Sequence, residues 1–107
     1  MHEEPRAWAL HPDAFGRTSE IEWTELESAA DVMPLAAAKL QHRWVLAVRG
    51  AMRDQSLTRK ATAFRMGMKY ARFGRLMRGE IALQVPDIAL AQVVLSMQAD
   101  FPSEHSA

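Results

Sequence analysis

The chain has 107 residues, no cysteine, and equal numbers of basic and acidic side chains, 13 of each. This length supports one domain, and the lack of cysteine excludes a disulfide framework and a thiolate metal site. With 49% apolar residues the chain is expected to fold. We expect it in the reducing cytoplasm and without a membrane span, because no apolar run approaches about 18 residues.

Acidic and basic residues are separated along the chain, although the net charge of the whole chain is zero. Residues 1–40 hold eight acids and three bases, residues 41–80 hold two acids and ten bases, and residues 81–107 hold three acids and no base. The central block therefore has a net charge of +8. A block this basic is an electrostatic footprint suited to a polyanion such as DNA.

The first third of the chain is predicted to be an acidic N-terminal arm, residues 1–33. Proline and glycine residues favour irregular structure over residues 1–20, and a short helix is predicted over residues 21–32. Three interpretations of the arm are open. It packs on the domain as padding or as a dimer arm, it lies near the basic block and competes with DNA phosphate, or it binds a protein partner.

Residues 34–99 are predicted to form one all-α domain, followed by a C-terminal tail at 100–107. A long helix is expected over residues 35–54, because apolar residues recur along one helical face at spacings of three and four. An extended connection is expected over residues 81–85. The three shorter helices are predicted over residues 59–66, 69–78 and 86–98.

The first two of these shorter helices carry the pattern of a helix-turn-helix motif over residues 59–78. Ala63 supplies the small residue that two touching helices require, and Gly67 supplies a left-handed residue for the turn. Gly79 is expected to end the second helix in the same way. The apolar residues expected to hold the second helix on the first are Met66, Met68, Phe73 and Leu76.

With these residues the chain resembles the lambda-repressor/Cro-like family, also called the xenobiotic-response-element type, of DNA-binding domains. The resemblance runs from about Trp44 to Leu95 and rests on the stretches LTRKATAFRMGM (57–68), FGRLMRGE (73–80) and VPDI (85–88). It implies a five-helix fold, here with an N-terminal extension. It also implies that the second motif helix docks in the major groove of DNA.

The chain departs from the family pattern at three positions. Thr62 stands where the family usually has leucine. Met52 and Met77 stand where the family often pairs an arginine with a glutamate. Replacing both partners of such a pair by apolar residues can be neutral, so we predict that Met52 and Met77 contact each other.

The resemblance also implies which side chains contact DNA. Base contacts are expected from Lys69, Tyr70, Ala71, Gly74 and Arg75. Phosphate contacts are expected from Thr58, Arg59, Lys60, Arg72 and Arg78. Arginine is suited to a bidentate pair with guanine, and about five neutralised phosphates would give a salt slope of about −4 to −5 per subunit. The alternative for each cation is a solvated helix face.

The function implied is a sequence-specific transcriptional regulator, in the first place a repressor of a bacterial or phage operon. Such a protein would bind a palindromic operator as a homodimer, and the apolar last helix is the expected interface. The alternative is a protein-interaction module, such as an antitoxin or adaptor, that keeps the fold. No enzyme, cofactor or metal is expected, because the four histidines show no ligand spacing and no catalytic group stands out.

Overall fold

The computed structural model describes residues 4–97, and this part of the chain is predominantly helical. Four α-helices follow one another: α1 over Val32–Asp54, α2 over Arg59–Arg65, α3 over Tyr70–Met77 and α4 over Val85–Val94. The prediction of an all-α fold is confirmed. The five-helix count that the resemblance implies is not met, because the described residues hold four α-helices.

The N-terminal arm is irregular over all of its described length. Its regular pieces are three short 3-10 turns, Pro5–Trp8, Pro12–Ala14 and Ala29–Asp31. The prediction of a helix over residues 21–32 is wrong. Ala9 and Trp23 pair as an isolated antiparallel bridge, and burial alternates there, with Ile21 and Trp23 partly buried and Glu22 exposed. A period of two belongs to extended backbone, not to a helix.

α1 begins at Val32 and carries Pro34 in its first turn, where a missing N–H costs no hydrogen bond. It continues without interruption to Asp54. Its buried positions recur every three or four residues, so one stripe of the helix faces the rest of the molecule. The buried residues are Leu35, Ala38, Gln41, His42, Trp44, Val45 and Val48.

The last helix is shorter than the predicted range of 86–98. α4 begins at Val85 and ends at Val94, and Ser96 has a left-handed φ of 55°. The side chain of Gln55 donates a hydrogen bond to the Leu95 carbonyl at 2.9 Å, which satisfies a carbonyl that the ended helix leaves open. The predicted tail at 100–107 lies outside the described residues.

A main core forms where the four helices meet, and the arm contributes to it. Its buried members are Phe15, Trp44, Val45, Val48, Ala63, Met66, Phe73, Leu76, Met77, Ala91 and Leu95. Phe15 comes from the arm and is only 2% exposed. A second cluster joins Trp8 of the arm to Leu35 and Ala38 of α1. The arm is therefore packed on the domain, which is the first of the three interpretations.

The arm is held at the C-terminal end of α3. Gly79, which follows α3, has the predicted left-handed φ, +71°. A Cβ at this position would lie 2.6 Å from the ring of Phe15, so only glycine lets the arm approach. The N–H of Arg6 also donates to the Gly79 carbonyl at 3.0 Å. Gly79 thus ends α3 and also contacts the N-terminal arm.

A buried glutamine joins α1 to the connection between α3 and α4. The side-chain amide of Gln41 donates to the carbonyls of Leu76 at 3.0 Å and Ile81 at 2.9 Å. Its oxygen accepts from the N–H of Leu83 at 2.8 Å. The Ile81 carbonyl and the Leu83 N–H belong to the extended connection and have no helical partner, so Gln41 supplies one for each.

Candidate nucleic-acid interface

α2 and α3 form the predicted helix-turn-helix pair. The Thr58 hydroxyl caps α2 by accepting the Ala61 N–H at 3.0 Å, and Ala63 is 2% exposed in the main core. Gly67 has a φ of +62°. The N–H of Met68 donates to the Ala63 carbonyl at 2.9 Å, which closes the turn before α3. The predicted cap, small residue and left-handed glycine are confirmed.

The departures from the family pattern are accommodated within the core. Thr62 is fully buried, and its hydroxyl donates to the Thr58 carbonyl at 2.8 Å, so its polar atom is satisfied one turn back. Met77 is fully buried in the main core, and Met52 packs against the same core. A direct contact between Met52 and Met77 stays a prediction.

α3 has one buried face and one open face. Phe73, Leu76 and Met77 are completely buried against the core. Tyr70 is 51% exposed and the Arg75 side chain is 55% exposed. The buried residues hold the helix in place, and the open face presents an aromatic hydroxyl and a guanidinium to solvent.

The open face of α3 forms one side of a shallow concavity of about 340 Å³, which we call the α3 groove. Its lining residues are Arg59, Tyr70, Ala71, Gly74, Arg75, Arg78 and Glu80. Six of these seven were predicted from the sequence as DNA contacts. The fold therefore brings together residues from the start of α2, from α3 and from the turn after it. Lys60 and Lys69 are exposed outside this lining.

Gly74 does not present an open backbone in the α3 groove. The residue is buried, and a Cβ placed on it would lie 3.0 Å from Nη1 of Arg78. The Arg78 guanidinium therefore covers the glycine. The base contact at Gly74 stays a prediction, and in this structure the guanidinium of Arg78 lies over that position.

Arg72 belongs to an ion pair with α4. Its Nη1 and Nη2 donate to the two carboxylate oxygens of Asp87 at 2.9 and 3.0 Å. The hydrogen bonds to Asp87 raise the pKa of Arg72, against a smaller opposing effect of burial. Both Nη atoms of Arg72 therefore have a partner within the protein, and its phosphate contact stays a prediction.

Glu80 lines the α3 groove and was not among the residues predicted from the sequence. Its carboxylate accepts from Nε of Arg78 and lies 3.8 Å from Nη1 of Arg6 and 4.0 Å from Nε of Arg75. The hydrogen bond from Arg78 is the main cause that lowers the pKa of Glu80. A carboxylate that stays ionised here reduces the positive charge of the α3 groove. The order Arg78-Gly79-Glu80 was the available signal, because a left-handed glycine folds its neighbours toward each other.

Arg49 of α1 is a second residue that was missed. It is partly buried, and its Nε has no hydrogen-bond partner among the described residues. Burial lowers the pKa of Arg49, and the nearby charges of Arg59 and Arg17 lower it further. Arg49 therefore lies within electrostatic range of one arginine from α2 and one from the arm. Such mutual repulsion is relieved by an anion.

Other kinds of site are not evident in residues 4–97. No group of three or more histidine, aspartate or glutamate side chains there is arranged to hold a metal ion. None of the helices in that range has the length and apolar character needed to cross a membrane. Searches with this chain gave no match to a protein-family model, to a curated protein or to a solved structure.

Proposed function

We propose that this protein binds double-stranded DNA sequence-specifically, with α3 in the major groove. The observation that carries the proposal is the α3 groove, in which Arg59, Tyr70, Ala71, Arg75 and Arg78 share one concavity. A helix-turn-helix pair presents its second helix in this manner to base edges. The buried side of α3 supplies the rigidity that base recognition requires.

Within this proposal, the open side chains of α3 read bases and the surrounding cations hold the backbone. Tyr70, Ala71 and Arg75 are the base-contacting residues, with Lys69 at the N-terminal end of the helix. Arg59, Lys60 and Arg78 are the phosphate-contacting cations, and the hydroxyl of Thr58 lies beside them at the helix start. Arg75 is suited to a bidentate pair with a guanine, worth about 1–3 kcal/mol of discrimination.

A DNA selection tests the proposal directly. A random double-stranded pool is selected on the full-length protein, and the affinity for the selected site is measured between about 50 and about 200 mM salt. Three phosphate-contacting cations predict a log–log slope of about −3 per subunit. Arg75→Ala should lower the preference for the selected base at one position, and binding to unrelated sequence should change less. A slope near zero would exclude this mode of binding.

We also propose a homodimer that binds a palindromic site, as a repressor would. Val85 and Val93 on α4 are 77% and 82% exposed, and Ala89 is exposed midway between them. Residues spaced by four lie on one face of a helix, so α4 presents an uncharged apolar stripe. Val93→Glu should give a folded monomer in sedimentation where the wild-type chain is a dimer. A wild-type chain that stays monomeric at tens of micromolar would contradict the dimer.

One observation favours a second candidate, a protein-interaction module. Phe64 on α2 is 85% exposed, and an aromatic ring in solvent has no role in holding phosphate. A partner protein that covers Phe64 would bury it as an interface anchor. The DNA selection distinguishes the two candidate functions, because a protein-interaction module would enrich no DNA sequence. Phe64→Ser would then weaken a purified stoichiometric complex without altering the fold.

A further inference from the structure

A second concavity adjoins the α3 groove and shares Arg78 with it. It has a volume of about 240 Å³, and we call it the arm notch. Its lining residues are Arg6, Pro12, Asp13, Phe15, Arg17 and Arg78. Three of these six are arginines, and two of the three come from the arm. The arm is acidic in composition, yet the side that it places beside α3 is basic.

Arg17 is the arginine of the arm notch that has no ionic partner. Arg6 is held by Glu4 at 2.9 Å and lies near Glu80, and Arg78 is hydrogen-bonded to Glu80. The Arg17 side chain is exposed and forms no ion pair within residues 4–97. Its guanidinium is therefore free to accept an anion from solvent.

The position of Arg17 also places it with the cations of the helix-turn-helix motif. Arg49 of α1 feels the charges of both Arg17 and Arg59, and these charges lower its pKa in addition to burial. Arg59 begins α2 and lines the α3 groove. Arg17 thus lines a concavity that shares Arg78 with the α3 groove, and its charge acts on Arg49, as that of Arg59 does.

Part of the acidic charge of the arm lies elsewhere. Glu20 lines a separate concavity with Trp23, His42 and Lys39, and no residue of α2 or α3 contributes to it. Two other acidic residues of the arm lie at the arm notch. Asp13 is part of its lining, and Glu4 pairs with Arg6.

We propose that the arm notch binds a DNA backbone phosphate through Arg17, at the C-terminal end of α3. This inference rests on the proposed function. Arg78 and Arg6 add positive charge around the phosphate, and Asp13 opposes it. The N-terminal arm is then part of the DNA-binding surface, and its docking through Phe15 and Gly79 sets the position of the extra cation.

The experiment compares three variants of the full-length protein on the selected DNA site and on a shuffled fragment, by fluorescence anisotropy over a range of salt. Arg17→Ala should reduce the magnitude of the log–log salt slope by about 0.9 per subunit and weaken both fragments equally. Asp13→Asn should tighten binding at low salt, with a gain that fades as salt rises. Lys39→Ala removes one charge in the other concavity and should leave the slope unchanged.

Folding does not obscure the comparison, because the exposed side chain of Arg17 is outside both core clusters. A reduced slope for Arg17→Ala, together with tighter binding by Asp13→Asn, supports the arm notch. An unchanged slope for Arg17→Ala, while Arg59→Ala lowers it, overturns the arm notch and leaves the proposed function standing. Absence of DNA binding by the wild-type protein overturns both. Displacement of DNA from the wild-type but not from Arg17→Ala by inorganic phosphate alone would identify the notch as a site for free anions and overturn the assignment to DNA.

Discussion

Arg72 on α3 and Asp87 on α4 form a two-pronged ion pair, with nitrogen–oxygen distances of 2.9 and 3.0 Å. The Asp87 side chain is 6% exposed and that of Arg72 is 39% exposed. The same carboxylate accepts the N–H of Gln84 at 2.9 Å. One acidic side chain therefore starts α4 and ties it to the helix proposed to read DNA.

Loss of Arg72 should destabilise the fold because it leaves the buried carboxylate of Asp87 without its cation. Arg72→Ala is expected to lower the free energy of unfolding by about 1.5–3 kcal/mol, measured by urea denaturation. Arg75→Ala is the matched control on the same helix. Its side chain is more exposed, so it should change stability by less than about 0.5 kcal/mol. Equal stabilities for the two variants would contradict the role given to the ion pair.

The three hydrogen bonds of Gln41 predict a large effect for a substitution that preserves its length. Gln41→Met leaves the Ile81 carbonyl and the Leu83 N–H without partners. The Leu76 carbonyl keeps the N–H of Gly79 at 3.1 Å. We expect a loss of about 2–4 kcal/mol in the free energy of unfolding. Gln92→Met is the control, since no side-chain hydrogen bond of Gln92 occurs among the described residues. A small effect at Gln41 would mean that solvent reaches these backbone groups.

Substitutions at Gly67 and Gly79 distinguish the free-energy cost of backbone strain from the cost of a steric clash. Both have a left-handed φ, but a Cβ at Gly67 meets no atom within 4 Å whereas one at Gly79 meets the Phe15 ring at 2.6 Å. Gly67→Ala should cost about 1 kcal/mol from conformation alone. Gly79→Ala should cost about 1–3 kcal/mol more and should expose Trp8 and Trp23 to fluorescence quenchers as the arm loosens. Equal costs would show that the arm does not depend on Gly79.

The surroundings of His42 predict that the free energy of unfolding falls in mild acid. Its Nδ1 accepts the N–H of Gly16 at 2.8 Å, which requires a neutral ring. The rings of Phe15 and Trp23 lie 5.5 Å from it, centre to centre. Burial is the main cause that lowers the pKa of His42 from 6.5, and Arg43 contributes. The backbone of Thr18 and Ser19 opposes the shift.

The direction of the pH effect on stability follows from the difference in proton binding between the unfolded and the folded chain. Below the ordinary pKa of 6.5, the unfolded chain binds a proton at His42 more readily than the folded chain. The free energy of unfolding should therefore fall as the pH decreases through this range, by up to about 1.4 kcal/mol per pH unit, until the folded-state pKa is reached. His42→Phe should remove this part of the pH dependence. His11→Gln should retain it, because His11 is exposed. A flat profile between pH 7 and pH 5 in the wild-type chain would exclude the effect.

Much of the helical frame could be predicted because local signals agreed with one another. Thr58 as a cap, Ala63 at the contact and Gly67 in the turn each have a short-range physical reason, and these predictions hold. The open face of α3 was implied by the family resemblance. Tyr70 and Arg75 are exposed as the motif implies, although their contact with DNA stays a prediction.

The sequence failed to predict structure where contacts between residues distant along the chain determine it. The segment 21–32 has helix-forming residues, but Trp23 pairs with Ala9 across the arm and holds it extended. The ion pair of Arg72 was not predicted, because its partner Asp87 lies fifteen positions away. Gly74 is covered by Arg78, a contact that residue type alone does not indicate. The placement of Arg17 beside α3 depends on Phe15 entering the core. The composition of residues 1–33 indicated only that the arm is acidic.

The hydrogen bond between Arg6 and Gly79 joins residues that are separated by about three quarters of the described chain, and this separation affects how the protein folds during synthesis. A contact so remote in sequence is costly to close early and slows folding. During synthesis the first segment leaves the ribosome long before its docking residue exists. Until translation passes that glycine, Phe15 lacks its neighbours from α3 and α4 in the main core, and the nascent polypeptide exposes this ring to the chaperones of the cell.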